Sequence, residues 1–241
     1  MNPYSLVAVN TDPASENQMH SDDTARQYGF RAGLVPGVDV FEFMARAAFD
    51  RFPAWMSEGG SGKLALHKPY YDGDLVTIRF DENTATFWAD DRATLQIGAQ
   101  PPASLARIPA SAPLPESSAR PLASKFVLAP GIVLGTLRHR FQHPLSSSMK
   151  ARGFLELANR TLMSNVVLEP WIHTGSTIHW YDSAASAEEV EVRAIVTDLF
   201  ERKNHGFVTY QLVYLDSLGP QNEKPAACIE HTAIWRFRGR P

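Results

Sequence analysis

Residues 16–20, Glu-Asn-Gln-Met-His, put a carboxylate, a carboxamide and an imidazole within one short stretch, and a Gly-Leu-Val-Pro-Gly run ending at Gly37 follows. Imidazole is the side chain whose ordinary pKa lets it take or give a proton near neutral pH. His20 is therefore the candidate acid or base, with Glu16 and Asn17 as its candidate helpers. Gly37 stands where a long apolar segment begins. The first N–H groups of a helix are unpaired and sit at the positive end of its dipole, so Gly37 and Val38 are the candidate donors for a developing oxyanion. Glycine adds that a ligand can approach the backbone closely. Each residue also has a plainer role open to it. His20 would cap the helix at Asp22 or bond a backbone carbonyl, Gly37 would serve only a tight turn after Pro36, and Glu16 would be a solvated loop carboxylate.

The elements that must position these residues are legible in outline. Ser5 to Val9 reads as a short strand, and Asp22 to Gln27 as a small helix capped by Ser21 and stopped by Gly29. From Val38 to Phe52 the polar residues Asp39, Glu42, Arg46 and Asp50 recur at steps of three and four, leaving a wide apolar surface. That helix is expected to be mostly buried. Four strand-like runs follow, near Lys63 to Lys68, Leu75 to Phe80, Ala85 to Ala89 and Ala93 to Ile97, separated by DGD, DEN and DDR turns.

The second half repeats the order: a poorly patterned lead-in, a helix from about Lys150 to Asn165, then strands near Ile172 to Trp180, Val190 to Asp198, Phe207 to Leu215 and Ala227 to Phe237. Val190, Val192, Ala194 and Val196 share one face and Glu191, Arg193 and Thr197 the other, which marks a core-facing side. The stretch from 101 to 124 is rich in proline, alanine and serine and reads as an extended linker. The expected organisation is a unit at 1–100, the linker at 101–124 and a second unit at 125–241, each a helix followed by a meander of strands in an α+β fold. ERKNH, residues 201–205, reads as a charged hairpin turn, His173 as a satisfied buried or interface histidine, and Arg236, Arg238 and Arg240 as a solvated basic tail.

Composition bounds the partners. The 241 residues carry a net charge of −3, with 44% hydrophobic and 20% charged residues, as in ordinary globular chains. No block of like charge marks a surface for nucleic acid or an anionic membrane. The one cysteine, Cys228, has no internal disulfide partner, and no Cys/His cluster has zinc spacing. No basic-then-apolar leader opens the sequence and no apolar run is long enough to span a bilayer. A cytoplasmic protein without metal is the expectation.

These pieces resemble the MaoC-like branch of the hotdog superfamily in its two-domain, double hotdog form. The likeness runs over nearly the whole chain, through ENQMHSDDTARQYGFRAGLVPG, KPYYDGDLVTIRF, PWIHTGSTIHWY, VTDLFERKNHGFVTYQLVYL and HTAIWRF. The resemblance implies two units, each a long central helix wrapped by an antiparallel sheet. It also implies a hydratase or dehydratase interconverting trans-2-enoyl-CoA and 3-hydroxyacyl-CoA. Such enzymes carry a D-x-N-P-x-H motif and a glycine N–H that meets the thioester oxygen. Here Asn17 and His20 match, Ser15 stands at the aspartate position and Gln18 at the proline. Serine cannot take a proton as a carboxylate does, so Glu16 is the neighbouring candidate to substitute. No redox cofactor is implied, the ligand is an acyl-CoA or acyl-carrier thioester, and a homodimer is expected. Two further readings stay open: a hotdog acyl-CoA thioesterase with Glu16 as base, and a non-catalytic acyl-thioester-binding protein that has lost the aspartate.

Overall fold

The computed structural model describes residues 4–98, 107–142, 145–217 and 225–238. Its first half runs through β1 (Tyr4–Val7), α1 (Asp22–Gln27), α2 (Gly37–Arg51), β2 (Ser61–Leu66), β3 (Leu75–Asp81), β4 (Thr86–Ala89) and β5 (Ala93–Gly98). The second half continues with β6 (Val133–Arg140), α3 (Ser147–Asn165), β7 (Ile172–Trp180), β8 (Glu189–Arg202), β9 (His205–Asp216) and β10 (Pro225–Arg236). These ten strands form one sheet in the order β1-β3-β4-β5-β2-β7-β10-β9-β8-β6. Every pairing is antiparallel. Read from either edge inward, the order is the same: edge strand, then the three-strand meander, then the strand after the long helix. The halves meet where β2 pairs with β7, from Ser61 against His179 to Ala65 against Gly175.

Local chemistry explains the elements. The Ser21 hydroxyl accepts from Thr24 N–H at the start of α1, and the Ser146 hydroxyl accepts from Met149 N–H at the start of α3. On β8, Val190, Val192, Ala194 and Val196 are buried, as their alternation requires. Residues 203 and 204 of ERKNH take positive φ, 52° and 63°, and close the β8–β9 hairpin. Helices α2 and α3 share one continuous core, in which Phe41, Met44, Phe154, Leu155 and Trp180 are almost wholly buried. The two helices are also joined by charge: Arg152 of α3 donates from Nε to Oδ1 of the buried Asp39 of α2 at 2.7 Å.

Two expectations need correction. The lead-in to the second half is the strand β6, disguised because the register against β8 shifts between Leu134 and Leu137. A bulge there breaks the period of two that a strand shows in sequence. The Asn165 side chain fastens the bulge, its Oδ1 accepting from Gly135 N–H at 2.5 Å and its Nδ2 donating to Gly135 O at 3.2 Å. Of the Pro/Ala/Ser-rich stretch, the part from 107 to 124 includes a 3-10 turn at Ser117–Ala119 and is docked rather than free. Thr136 N–H donates to Ala112 O at 2.8 Å, Arg120 donates to Met163 O, and Leu122 bridges to Val167. Residues 101–106 lie outside the described residues, as does Arg240 of the basic tail. Arg236 pairs with Glu201 at 2.5 Å. Among the described residues, no helix is long and apolar enough to cross a membrane.

Candidate active site

His20 ends a 3-10 turn, Gln18–His20, that Asn17 caps by accepting from Met19 N–H at 3.3 Å. The same Oδ1 accepts from Trp171 N–H at 3.2 Å, while Nδ2 donates to Trp171 O at 3.0 Å. Asn17 is thereby stitched to both backbone groups of a residue just before β7. Two donors on Oδ1 fix the amide orientation, so it is Nδ2 that stands 3.3 Å from His20 Nε2. Nε2 is then an acceptor. On the other side of the ring, Nδ1 lies 2.7 Å from Leu34 O, which only accepts, so Nδ1 carries the proton. Both contacts assign the same neutral tautomer, with the lone pair on Nε2. Burial pushes the His20 pKa down, opposed by the Leu34 carbonyl and by the charges of Asp12 and Asp39. The ring is held as a neutral base.

The backbone around it leaves little slack. Asn10 Nδ2 donates to His20 O at 2.8 Å, and a Cβ on Gly33 would stand 2.1 Å from that same oxygen. Glycine is required there by close approach rather than by a turn. A few residues on, Val35 N–H donates to Tyr70 O at 2.9 Å, and α2 begins after Pro36. Asp39 and Val40 N–H groups both donate to Pro36 O, at 2.9 and 3.2 Å. The N–H groups of Gly37 and Val38 precede these and have no hydrogen-bond partner among the described residues. No side chain caps the helix, so two unpaired donors remain at its positive end. A Cβ on Gly37 would meet Leu66 Cδ1 at 2.7 Å and His173 Nδ1 at 2.9 Å.

His20 and Gly37 line one cavity of about 220 Å³ whose walls are mainly apolar, including Met19, Leu34, Val40, Leu66 and Ile172. A second, more polar cavity of about 130 Å³ shares Asn17, His20, Pro36, Asn159 and Trp171 with it and adds Asp12, Ser15, Val38 and Arg152. The two spaces meet around His20. An open groove of about 540 Å³ beside Phe52 and Trp55 contains no histidine and no orphaned buried polar side chain. It offers apolar surface but no acid–base group of this kind.

His20, Asn17, Gly37 and Val38 are thus brought together, whereas Glu16 is not. Its carboxylate pairs with Arg120 at 2.8 Å, is about half exposed, and lines neither cavity. Ser15 donates from Oγ to Asn17 O at 3.1 Å, which is a turn contact. The carboxylates that line the polar cavity are Asp12 and Glu156, the latter paired with Arg152 at 2.5 Å. From the second half come three residues that the motif did not point to: Trp171, His173 and Asn159. Asn159 Oδ1 is buried with no hydrogen-bond partner. Its sequence signal is a carboxamide in the same helical row as Leu155 and Leu162, where an apolar residue would be expected. Among the described residues, no group of three or more His, Cys, Asp or Glu side chains is arranged to hold a metal ion.

With this geometry in hand, the chain can be set beside known proteins. No family model matches it, and no curated protein sequence does. Solved structures do, at the level of fold: this chain has the hotdog fold. A variant of the GphF dehydratase superposes with a TM-score of 0.60 at 15% identity, covering 98% of this chain and 93% of that one. The acyl-CoA thioesterase II TesB2 from Mycobacterium marinum gives 0.55 at 12% identity over 87% and 93%. A conserved protein of unknown function with a hot dog fold from Alicyclobacillus acidocaldarius gives 0.54 at 14% over 84% and 88%.

Proposed function

We propose that this protein is a double hotdog enzyme that adds water to, or removes it from, an acyl thioester, interconverting a trans-2-enoyl and a 3-hydroxyacyl group. The observation that carries the reading is the gathering of two features around adjoining cavities: a neutral His20 with its lone pair on Nε2, which lines both, and the unpaired N–H groups that open α2, Gly37 lining the apolar cavity and Val38 the polar one. In the hydration direction, Nε2 takes a proton from water as the water oxygen bonds to the β carbon. The electron pair of the double bond moves toward the thioester oxygen, where the Gly37 and Val38 N–H groups meet the developing enolate. The proton on Nε2 then returns to the α carbon, so one water has added and His20 is regenerated. The reaction needs no oxidant, and no metal enters it. The apolar cavity suits an acyl chain, and Asn159 Oδ1 is a free acceptor for a hydroxyl or water. The repeated strand order and the GphF likeness support the choice of fold and class.

A thioesterase is the second reading, favoured by the TesB2 likeness. Against it stands Glu16, the carboxylate that would activate water, which is turned to Arg120. The two are separated by following the conjugated absorbance of trans-2-enoyl thioesters in parallel with thiol release from saturated ones. Loss of enoyl absorbance without thiol release is the expected result. Thiol release alone would replace the hydratase by the thioesterase, and tight binding with neither reaction would identify a binding protein.

A further inference from the structure

His173, the second residue of β7, is only 5% exposed, lines the cavity, and has a ring nitrogen, Nδ1, with no hydrogen-bond partner. Its other nitrogen, Nε2, lies 2.9 Å from Ser176 Oγ, and that hydroxyl lies 2.9 Å from His231 Nδ1. The two rings stack with centroids 4.0 Å apart and planes 19° from parallel. Burial drives both pKa values down, His173 to about 3 against a smaller opposing pull from the Gly175 carbonyl, and His231 further disfavoured as a cation by His173 beside it. Both rings are neutral at physiological pH.

The proton positions follow from the shared hydroxyl and from which ring lines the cavity. Ser176 has one hydroxyl proton, so it donates to one ring at most. If it donated to His231 Nδ1, the proton of that ring would sit on Nε2, which is buried without a partner. The opposite direction leaves His173 Nδ1–H unpaired in the same way, but His173 lines the cavity, where a ligand oxygen can meet that proton, and His231 does not. If both rings donated to the serine oxygen, the hydroxyl proton itself would need a third acceptor, and Ser176 has none among its hydrogen bonds. The arrangement that puts the unpaired N–H at the cavity runs in one direction: His231 Nδ1–H donates to Ser176 Oγ, Ser176 O–H donates to His173 Nε2, and His173 carries its proton on Nδ1. That N–H is left without a partner in the cavity wall. It stands against Gly37, where a Cβ would approach it to 2.9 Å.

We propose that His173 Nδ1–H is a third donor of the oxyanion site, joining the N–H groups of Gly37 and Val38 on the thioester oxygen, and that Ser176 and His231 are positioning residues that hold it in the donor tautomer. The inference rests on the acyl-thioester reading. It gives the second half of the chain a direct part in the chemistry, because β7 supplies a donor that α2 alone lacks. A neutral imidazole suits this role because it polarises the carbonyl without leaving a buried cation after the enolate collapses.

Two measurements test it. Nitrogen-15 spectra of the histidine-labelled wild-type protein report which ring nitrogen of His173 is protonated. A proton on Nδ1 and none on Nε2 is expected, and the reverse overturns the proposal whatever the reaction proves to be. Infrared spectra of a carbonyl-labelled butyryl N-acetylcysteamine thioester bound to wild type and to His173→Gln then report polarisation of the carbonyl. The stretch is expected to move to lower frequency on binding to wild type and to recover much of that shift in the variant. On the enoyl substrate, kcat is expected to fall on the order of 10²-fold with KM changed far less. Binding with the same stretch in both proteins overturns the role of His173 alone. No binding to wild type overturns the acyl-thioester reading and this inference with it.

Discussion

His20 Nε2 is the atom on which the proposed chemistry turns, and its state is set by two neighbours rather than by a carboxylate. Asn17 donates toward it, and Leu34 O takes the proton on the opposite nitrogen, so the ring is a base only while neutral. Burial holds its pKa below the ordinary 6.5. The neutral form therefore persists at neutral pH and is lost as pH falls through the lowered value. The expected kcat/KM profile is flat on the acid side of neutrality until an inflection below 6.5. A pH–rate profile that breaks at or above that value would show that another group is titrating. The close approach at Gly33 gives a second test. A methyl group there must push back His20 O, since the built Cβ lies 2.1 Å from it. Gly33→Ala is expected to lower turnover on the order of 10²-fold, the usual effect of a displacement of about 1 Å at a catalytic group. Steady-state kinetics on a variant shown by circular dichroism to be folded would check it.

At the scale of elements, the site hangs on the pairing of α2 with α3. Arg152 reaches across to Asp39, and Thr11 Oγ1 donates to the other oxygen of the same carboxylate at 2.5 Å. Removing the guanidinium leaves a nearly buried charge with one neutral partner. Arg152→Met is expected to cost about 3 kcal/mol in urea unfolding, with the loss largely relieved in the double variant with Asp39→Asn. Unchanged stability in the single variant would show that the pair holds nothing. Much of this framework was legible from sequence. The apolar surface of α2, the alternation of β8 and the ERKNH hairpin each follow from local periodicity and turn chemistry. Strand β6 was not, because its bulge removes the alternation, and Asn165 announces its role only through a contact 30 residues away. The candidate site divides in the same way. Asn17, His20 and the start of α2 are close in the chain and could be read together. Asn159, Trp171 and His173 join them only once β7 is laid beside β2. Glu16 looked like a helper from its position next to Asn17, but sequence distance says nothing about the side to which a loop carboxylate turns, and Arg120 takes it.

At the scale of the molecule, the single sheet makes one site out of two similar halves. The β2–β7 seam is closely packed: a Cβ on Gly175 would lie 2.8 Å from Leu64 O. Gly175→Val is expected to destabilise the fold by about 1–3 kcal/mol and to reduce turnover as well, because the seam sets His173 and Trp171 against Gly37 and His20. Calorimetry and kinetics that moved independently of each other would argue that the seam does not align the site. The most direct test of His20 as the base is turnover of a trans-2-enoyl thioester by wild type and by His20→Gln, with folding of the variant checked in parallel. Hydration by wild type and a fall of about 10²–10⁴-fold in kcat in a folded variant are expected. Full hydration by folded His20→Gln would contradict that role.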